Sequence, residues 1–321
     1  MTKILIGTGG WAYFRVSGDP LRTYSGIYDM AEVNSTFYGF PGLSIVQSWR
    51  ERVPDEFEFA VRCHQNLTHR HRFQPIDPAF KDWDYMMKVC RSLSSKILII
   101  NTPPNLQMLP EKIEDLNNFF SSADLHGLCL AWDLGTQEKE DRKRLIAFLQ
   151  DRGFIHCVDL SVEEPAFKSE TAYSRLFGRS EFTVHQFSDE ELADINRRAE
   201  SIESKKLYLS YQGIKMYKDA IRMKIYRETG RFPPVTRSKG LDSAIEVLRE
   251  DIKLPTTKTS LVQDQGWKIF DLTEEKRDRL QKILEALPDK PYHNFRELIA
   301  ELRRLNLNLL FPGKSEESPT K

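Results

Sequence analysis

The chain has 321 residues, and its 47 Lys and Arg balance 47 Asp and Glu, so it carries no formal net charge. That balance excludes a general coat of basic charge for non-specific nucleic-acid binding and leaves only local patches. With 40% hydrophobic and 29% charged residues it has the composition of a soluble globular protein, long enough for one large or two unequal domains. No stretch approaches the roughly 20 apolar residues of a membrane span. Met1 to Gly10 runs straight into a strand pattern without a signal-peptide hydrophobic region, so the expected location is cytoplasmic, with no membrane partner. Cys63, Cys90, Cys129 and Cys157 are isolated from one another and read as reduced core residues, with no CxxC pair to suggest structural zinc.

Eight short apolar runs follow in chain order, starting at Lys3, Met30, Phe57, Lys96, Leu128, Ile155, Ala172 and Lys206. Unbroken apolar runs of four to eight residues suit strands buried on both faces of a parallel sheet. Most are spaced by about 25 to 40 residues, room for a loop, a helix and a second loop. The pattern predicts an α/β fold, a (β/α)8 TIM barrel, over residues 1–229; a doubly wound open sheet is the competing arrangement. The gap around Glu163 to Lys168 is short, so any helix there must be abbreviated.

After the eighth run, MYKDAIRMKIYRE predicts a helix that Gly230 ends and Pro233-Pro234 cannot continue. A helical C-terminal extension is expected over 230–311. It contains LDSAIEVLREDI, TEEKRDRLQKILEAL with Thr273 as N-cap, and NFRELIAELRRL. Residues 312–321 are polar and proline-broken and read as a disordered tail. The stretch from Lys218 to Lys239 holds Lys218, Arg222, Lys224, Arg227, Arg231, Arg237 and Lys239 against Asp219 and Glu228. It is either a solvated helix face or a phosphate-binding patch through which nucleic acid would bind.

A TIM barrel places its chemistry at the C-terminal strand ends. There the carboxylates and the histidine that could serve as catalytic groups are Glu32, His69, Asp133 and Asp159. Gly9, Trp11, Asn34, Tyr38, Arg62, Asn101, Arg175 and Gln212 are the candidate substrate-binding residues. Carboxylates with a histidine are raw material for a divalent-metal hydrolase, with Glu32, His69 and Asp159 as the metal candidates, or for acid and base catalysis without metal. Alternatively, Arg62 and Arg175 hold the carboxylates as buried ion pairs. The histidine spacing fits neither HExxH nor a zinc finger, and GTGGW at Gly7 to Trp11 is neither GxGxxG nor a P-loop, so no nucleotide cofactor is indicated.

The segments IGTGGW, EVNSTFYGFP, SWRERVPDEFEFAVR, LTH at 67–69, NTPPNL, AWDLG, CVDL, YSRLFG, FSDEEL and YLSYQGIKMYKDA, in this order, resemble the YecE-like family, domain of unknown function 72. The resemblance covers about two thirds of the chain and implies a TIM barrel but no established activity. Its usual signature residues fall on Glu32, Asn34, Phe37, Tyr38, Trp49, Pro54, Phe59, Thr68, His69, Pro103, Pro104, Asp159, Arg175 and Gly178. The chain departs from the family pattern in three places. Arg62 stands where lysine is usual, Gly135 where an arginine is usual, and Phe177 where a histidine is usual, as a divergent or inactive member would show. The barrel is also broadly similar to the endonuclease IV and xylose isomerase group, which is fold analogy alone.

The leading functional expectation is a phosphoester hydrolase acting at the barrel mouth on a phosphate-bearing substrate, nucleic acid among the candidates. The alternatives are a metal-independent enzyme on a small sugar-like metabolite, with Trp11, Phe37, Tyr38 and Trp132 as stacking faces, and a non-catalytic ligand-binding barrel.

Overall fold

A computed structural model describes residues 2–104, 106–178 and 184–312. Eight parallel strands make one sheet: β1 (Lys3–Thr8), β2 (Met30–Val33), β3 (Glu58–Arg62), β4 (Ile97–Asn101), β5 (Cys129–Asp133), β6 (Ile155–Cys157), β7 (Thr171–Leu176) and β8 (Lys206–Tyr211). Their order is β6-β5-β4-β3-β2-β1-β8-β7. The two ends of that row meet at a parallel bridge between Val158 and Ser174. There Val158 N donates to Tyr173 O (3.3 Å) and Arg175 N to Val158 O (3.0 Å). This seam closes the barrel and removes the open-sheet alternative, which would leave two free edges.

Helices link most of the strands: Pro20–Ser25, Leu43–Glu51, Asp77–Ser92, Pro110–Ser122, Lys139–Arg152 and Asp189–Ser201. Local chemistry sets several of their ends. Asp19 accepts from the amides of Leu21 and Arg22 at the first helix, and Pro110 opens the fourth. Between β6 and β7 no helix forms, and residues 158–170 cross as turns, as the short gap requires.

Inside the barrel, Leu5, Met30, Ala60, Ile99, Ala131, Cys157, Tyr173 and Tyr208 pack into one core. Their period-two successors along the strands, two residues on, lie at the C-terminal mouth. That single rule positions most of the candidate site.

The chain divides into two compact units, Met1–Phe177 with Asp194–Gln212, and Gly178–Ala193 with Gly213–Lys321. The helix Met216–Thr229, ended by Gly230 at φ 74°, therefore clusters with the second unit, whereas the sequence boundary near 230 assigns it to the barrel. The second unit has its own core of Leu248, Leu261, Phe270, Leu280, Leu284 and Leu298.

The long helix expected from Thr273 is not there. Ile269–Asp271 and Arg277–Arg279 instead form an antiparallel hairpin, and the helix is confined to Gln281–Glu285. Thr273 Oγ1 accepts from Lys276 N (3.1 Å) inside the hairpin turn rather than at a helix start. The reason lies in the pattern: residues 274–279 contribute no apolar side chain, and the helical spacing begins only at Leu280, with Ile283, Leu284 and Leu287.

Much of the basic stretch is neutralised. Lys218 pairs with Glu250 (2.5 Å) and Lys239 with Glu274. Arg222 is buried between Asp219 (2.9 Å) and Asp189 (2.6 Å), and Asp189 continues to Arg277 (2.7 Å) and on to Asp271 (3.1 Å). Arg231 and Arg237 stay exposed. Of the expected tail, 312–321, all but Pro312 lies outside the described residues. Among these, no helix is long and apolar enough to cross a membrane. The four cysteines are all free, with Cys63, Cys90 and Cys157 buried.

Candidate functional site

Glu32 follows Met30, Arg62 follows Ala60, Asn101 follows Ile99, Asp133 follows Ala131, Arg175 follows Tyr173, and Ser210 with Gln212 follows Tyr208. The alternation that fills the barrel with apolar side chains thus raises a ring of polar ones above them, and these meet in one network.

At its centre lies Glu32, fully buried. Its Oε1 accepts from Arg175 Nη2 (2.8 Å) and Nε (3.1 Å). Its Oε2 accepts from Tyr173 Oη (3.1 Å), Ser210 Oγ (3.1 Å) and Gln212 Nε2 (2.9 Å). Arg175 Nη1 continues to Asp133 Oδ2 (2.8 Å), which also accepts from Asn101 Nδ2 (2.9 Å). Burial opposes the Arg175 charge, but Glu32 and Asp133 more than offset this and hold the guanidinium firmly protonated. Both central carboxylates are therefore held by one arginine, as the ion-pair alternative expects. Phe177, where the family pattern has histidine, places its ring 5.0 Å from the Arg175 guanidinium. Gly135, where an arginine is usual, adopts φ 58° and donates its amide to Asp133 Oδ1 (3.1 Å).

Arg62 is different. Its Nε donates to Asn101 Oδ1 (2.6 Å) and its guanidinium lies 3.9 Å over the Phe37 ring, yet it makes no ion pair among the described residues. Burial, then the charge of Arg175, pushes its pKa down. Tyr38, 69% exposed, lies close enough to act on its charge. His69 shares the Phe37 ring, edge-on at 5.4 Å, and its Nδ1 is 2.7 Å from Thr68 Oγ1. Burial and then Arg62 and Arg72 hold the His69 imidazole below its ordinary pKa, so it is neutral near pH 7.

The loop carrying His69 is strained. His71 N donates to Asn66 O (2.7 Å), an i to i+5 turn of the kind that recurs at functional sites. Arg72 and Phe73 then both adopt positive φ, at 51° and 54°. Phe73, buried against Phe119, Phe120 and Trp132, anchors this turn in the core.

At the ends of β1, β2 and β8, Asn34 Nδ2 donates to Gly9 O (3.0 Å) and Gln212 Oε1 (3.1 Å). A Cβ at Gly9 would lie 2.3 Å from that Gln212 oxygen, so any side chain there would displace the Gln212 amide from this bond. The Asn34 Oδ1 atom is buried with no partner among the described residues. Trp11 turns edge-on to Trp49 (5.4 Å) and Phe59 (5.9 Å), using its ring for packing.

Asp159 does not join the network. Its Oδ1 accepts from Ser161 N (2.8 Å) and Oγ (2.6 Å), and its Oδ2 from Phe177 N (2.8 Å). β6 stops at Cys157, and the turn beginning at Asp159 takes the carboxylate with it. Glu32, His69 and Asp159 accordingly do not gather into a metal-ligand set; among the described residues no three His, Cys, Asp or Glu side chains do. Tyr173, which the sequence reading passes over, is signalled only by the polar tip that the strand alternation carries inward with an otherwise apolar core.

The fold and site define a TIM-barrel protein with a polar network closing the interior at the strand C-termini. The family model described as protein of unknown function DUF72 matches residues 5–223, and the chain belongs to that family. A DUF72 family protein from Enterococcus faecalis V583 superposes with a TM-score of 0.54 at 13% identity, covering 72% of this chain and 98% of its own. One from Thermotoga maritima MSB8 does so with a TM-score of 0.54 at 18% identity, covering 70% and 99%. These likenesses bear on the barrel fold. No curated protein matches the chain.

Proposed function

We propose that the barrel mouth binds a small phosphate-bearing ligand, with Arg62 as the anion clamp and His69 as the proton acceptor for a hydrolytic step. One observation supports this reading: Arg175 bonds directly to Glu32 and Asp133, whereas Arg62, half-buried beside Arg175 and within reach of the Glu32 charge, makes no direct carboxylate contact among the described residues. A guanidinium in that state is a ready partner for a phosphate's paired oxygens. Asn34 Oδ1 offers an acceptor for a ligand hydroxyl, which favours a polyhydroxylated body such as a sugar phosphate.

Glu32 in this reading is a positioning residue, since four side chains already occupy its oxygens. A metal held through Glu32 would have to displace them. The neutral His69 keeps the general-base role open to it. The exposed Arg231 and Arg237 leave nucleic acid as a less supported substrate class.

Calorimetric titration with inorganic phosphate, glucose 6-phosphate and a short single-stranded DNA tests the proposal. Saturable binding of the small phosphates that Arg62→Gln abolishes is expected, and hydrolysis of glucose 6-phosphate that His69→Ala removes would add the catalytic step. Absence of binding by every phosphate-bearing probe overturns it.

A further inference from the structure

The helix missing between β6 and β7 leaves a second place for a ligand, within the barrel unit. On β6, Ile155 and Cys157 face the barrel interior, so His156 faces outward. On neighbouring β5 the outward Trp132 is covered by Phe120, Phe148 and Phe154. Over His156, no aromatic cluster of that kind is seen among the described residues, and the irregular strap 161–170 crosses there instead. A cavity of ≈ 280 Å³ lies between them, bounded by His156, residues 164–169, Ala172 and residues 201–204. That is just below the roughly 300–1,000 Å³ usual for small-molecule pockets.

His156 is 2% exposed. Its Nδ1 accepts from Ala166 N (3.0 Å), which places the proton of the neutral ring on Nε2. That Nε2–H donor is buried and has no partner among the described residues. Burial, followed by the Arg142 charge, pushes the His156 pKa down to about 4, so the ring remains a neutral donor near pH 7. Phe167 stacks on the imidazole at 6.2 Å and gives the cavity an apolar wall. At the rim, Lys168 is paired with Glu203 (2.6 Å), and Glu164 adds a further exposed carboxylate. The rim is thus net negative and unsuited to an anion, while the inner end offers a donor and lacks an acceptor for it.

We propose that this cavity is a second binding site, for a small uncharged molecule whose carbonyl or amide oxygen accepts from His156 Nε2 and whose apolar body packs on Phe167. It is independent of the mouth, uses none of the same residues, and takes an uncharged ligand where the mouth is proposed to take an anion.

The test uses the full-length protein with 15N-labelled histidine, titrated with N-methylacetamide and 2-pyrrolidone while the His156 side-chain nitrogens are followed by NMR. A saturable shift of Nε2 is expected, weakened at least about tenfold by Ala166→Phe at the exposed edge of the cavity. His156→Phe should abolish binding by both probes, measured by calorimetry on protein shown to be folded, and Arg62→Gln should leave it unchanged. The proposal fails if the shifts do not saturate, if Ala166→Phe binds as tightly, if acetate binds more tightly than either amide, or if Nε2–H contacts only a long-lived water.

Discussion

Two halves of the same barrel mouth handle positive charge in opposite ways. Around Arg175 the contacts are complete: two carboxylates bond directly to one buried guanidinium, and a tyrosine, a serine and a glutamine fill the remaining oxygens of Glu32. Around Arg62 the charge is supported by an amide oxygen and a phenyl face, with a neutral histidine on the same ring. The first half is built as a completed structure, the second as one that still has bonding capacity. A half-buried guanidinium without a direct carboxylate contact is costly to keep, and the proposed ligand would supply that contact.

The largest expected effect breaks the matched half. Arg175→Met strands Glu32 in the barrel interior without its counter-ion and should cost about 3–5 kcal/mol of stability, read from urea unfolding. A loss below about 1 kcal/mol would mean that Glu32 is satisfied without Arg175. Asp159→Ala, removing the carboxylate outside both halves, should cost about 1–3 kcal/mol through its lost turn hydrogen bonds. It should leave phosphate affinity within about twofold, a factor worth only about 0.4 kcal/mol. A large affinity loss in folded Asp159→Ala protein would place Asp159 back in the site.

Arg62→Gln should do the converse, changing stability by less than about 1 kcal/mol and phosphate affinity by tenfold or more, about 1.4 kcal/mol. Equal effects of the Arg62 and Arg175 changes on stability would erase the distinction between the halves. The smallest effect concerns His69. Its folded-state pKa is held below the ordinary 6.5, so protonation disfavours the free protein, and stability from this group is lost as pH falls through the lowered pKa. A bound anion raises that pKa again. Sulfate, whose own charge is constant in this range, should therefore bind a few-fold more tightly as pH drops from 7 towards 5, about 1 kcal/mol at most, and the trend should vanish in His69→Ala.

The eight apolar runs and their spacing were enough to indicate the barrel, because a strand covered on both faces must be apolar throughout and a parallel crossover needs a minimum length. Period two then put Glu32, Arg62, Asn101, Asp133, Arg175 and Gln212 at one mouth. The missing helix before β7 was legible as well, since 13 residues from Val158 to Glu170 leave little room for one between two loops. The C-terminal extension was read less well. The charged residues around Lys276 favour a helix by propensity, but residues 274–279 offer no apolar face to bury, and the packing of Phe270 and Leu280 into a separate core overrides that preference.

Sequence also could not apportion charge. Glu32, Asp133 and Asp159 all end strands, and nothing local distinguishes a carboxylate bonded to an arginine from one bonded to a turn. That depends on which strands become neighbours across the barrel and on where β6 stops. The residue types and their strand-end positions were set by the chain itself, because alternation is a local property of the backbone. Which arginine finds two carboxylates and which finds none was decided by tertiary structure, because ion pairing depends on distances between residues far apart in the chain, 42 positions for Asp133 and Arg175 and 143 for Glu32 and Arg175.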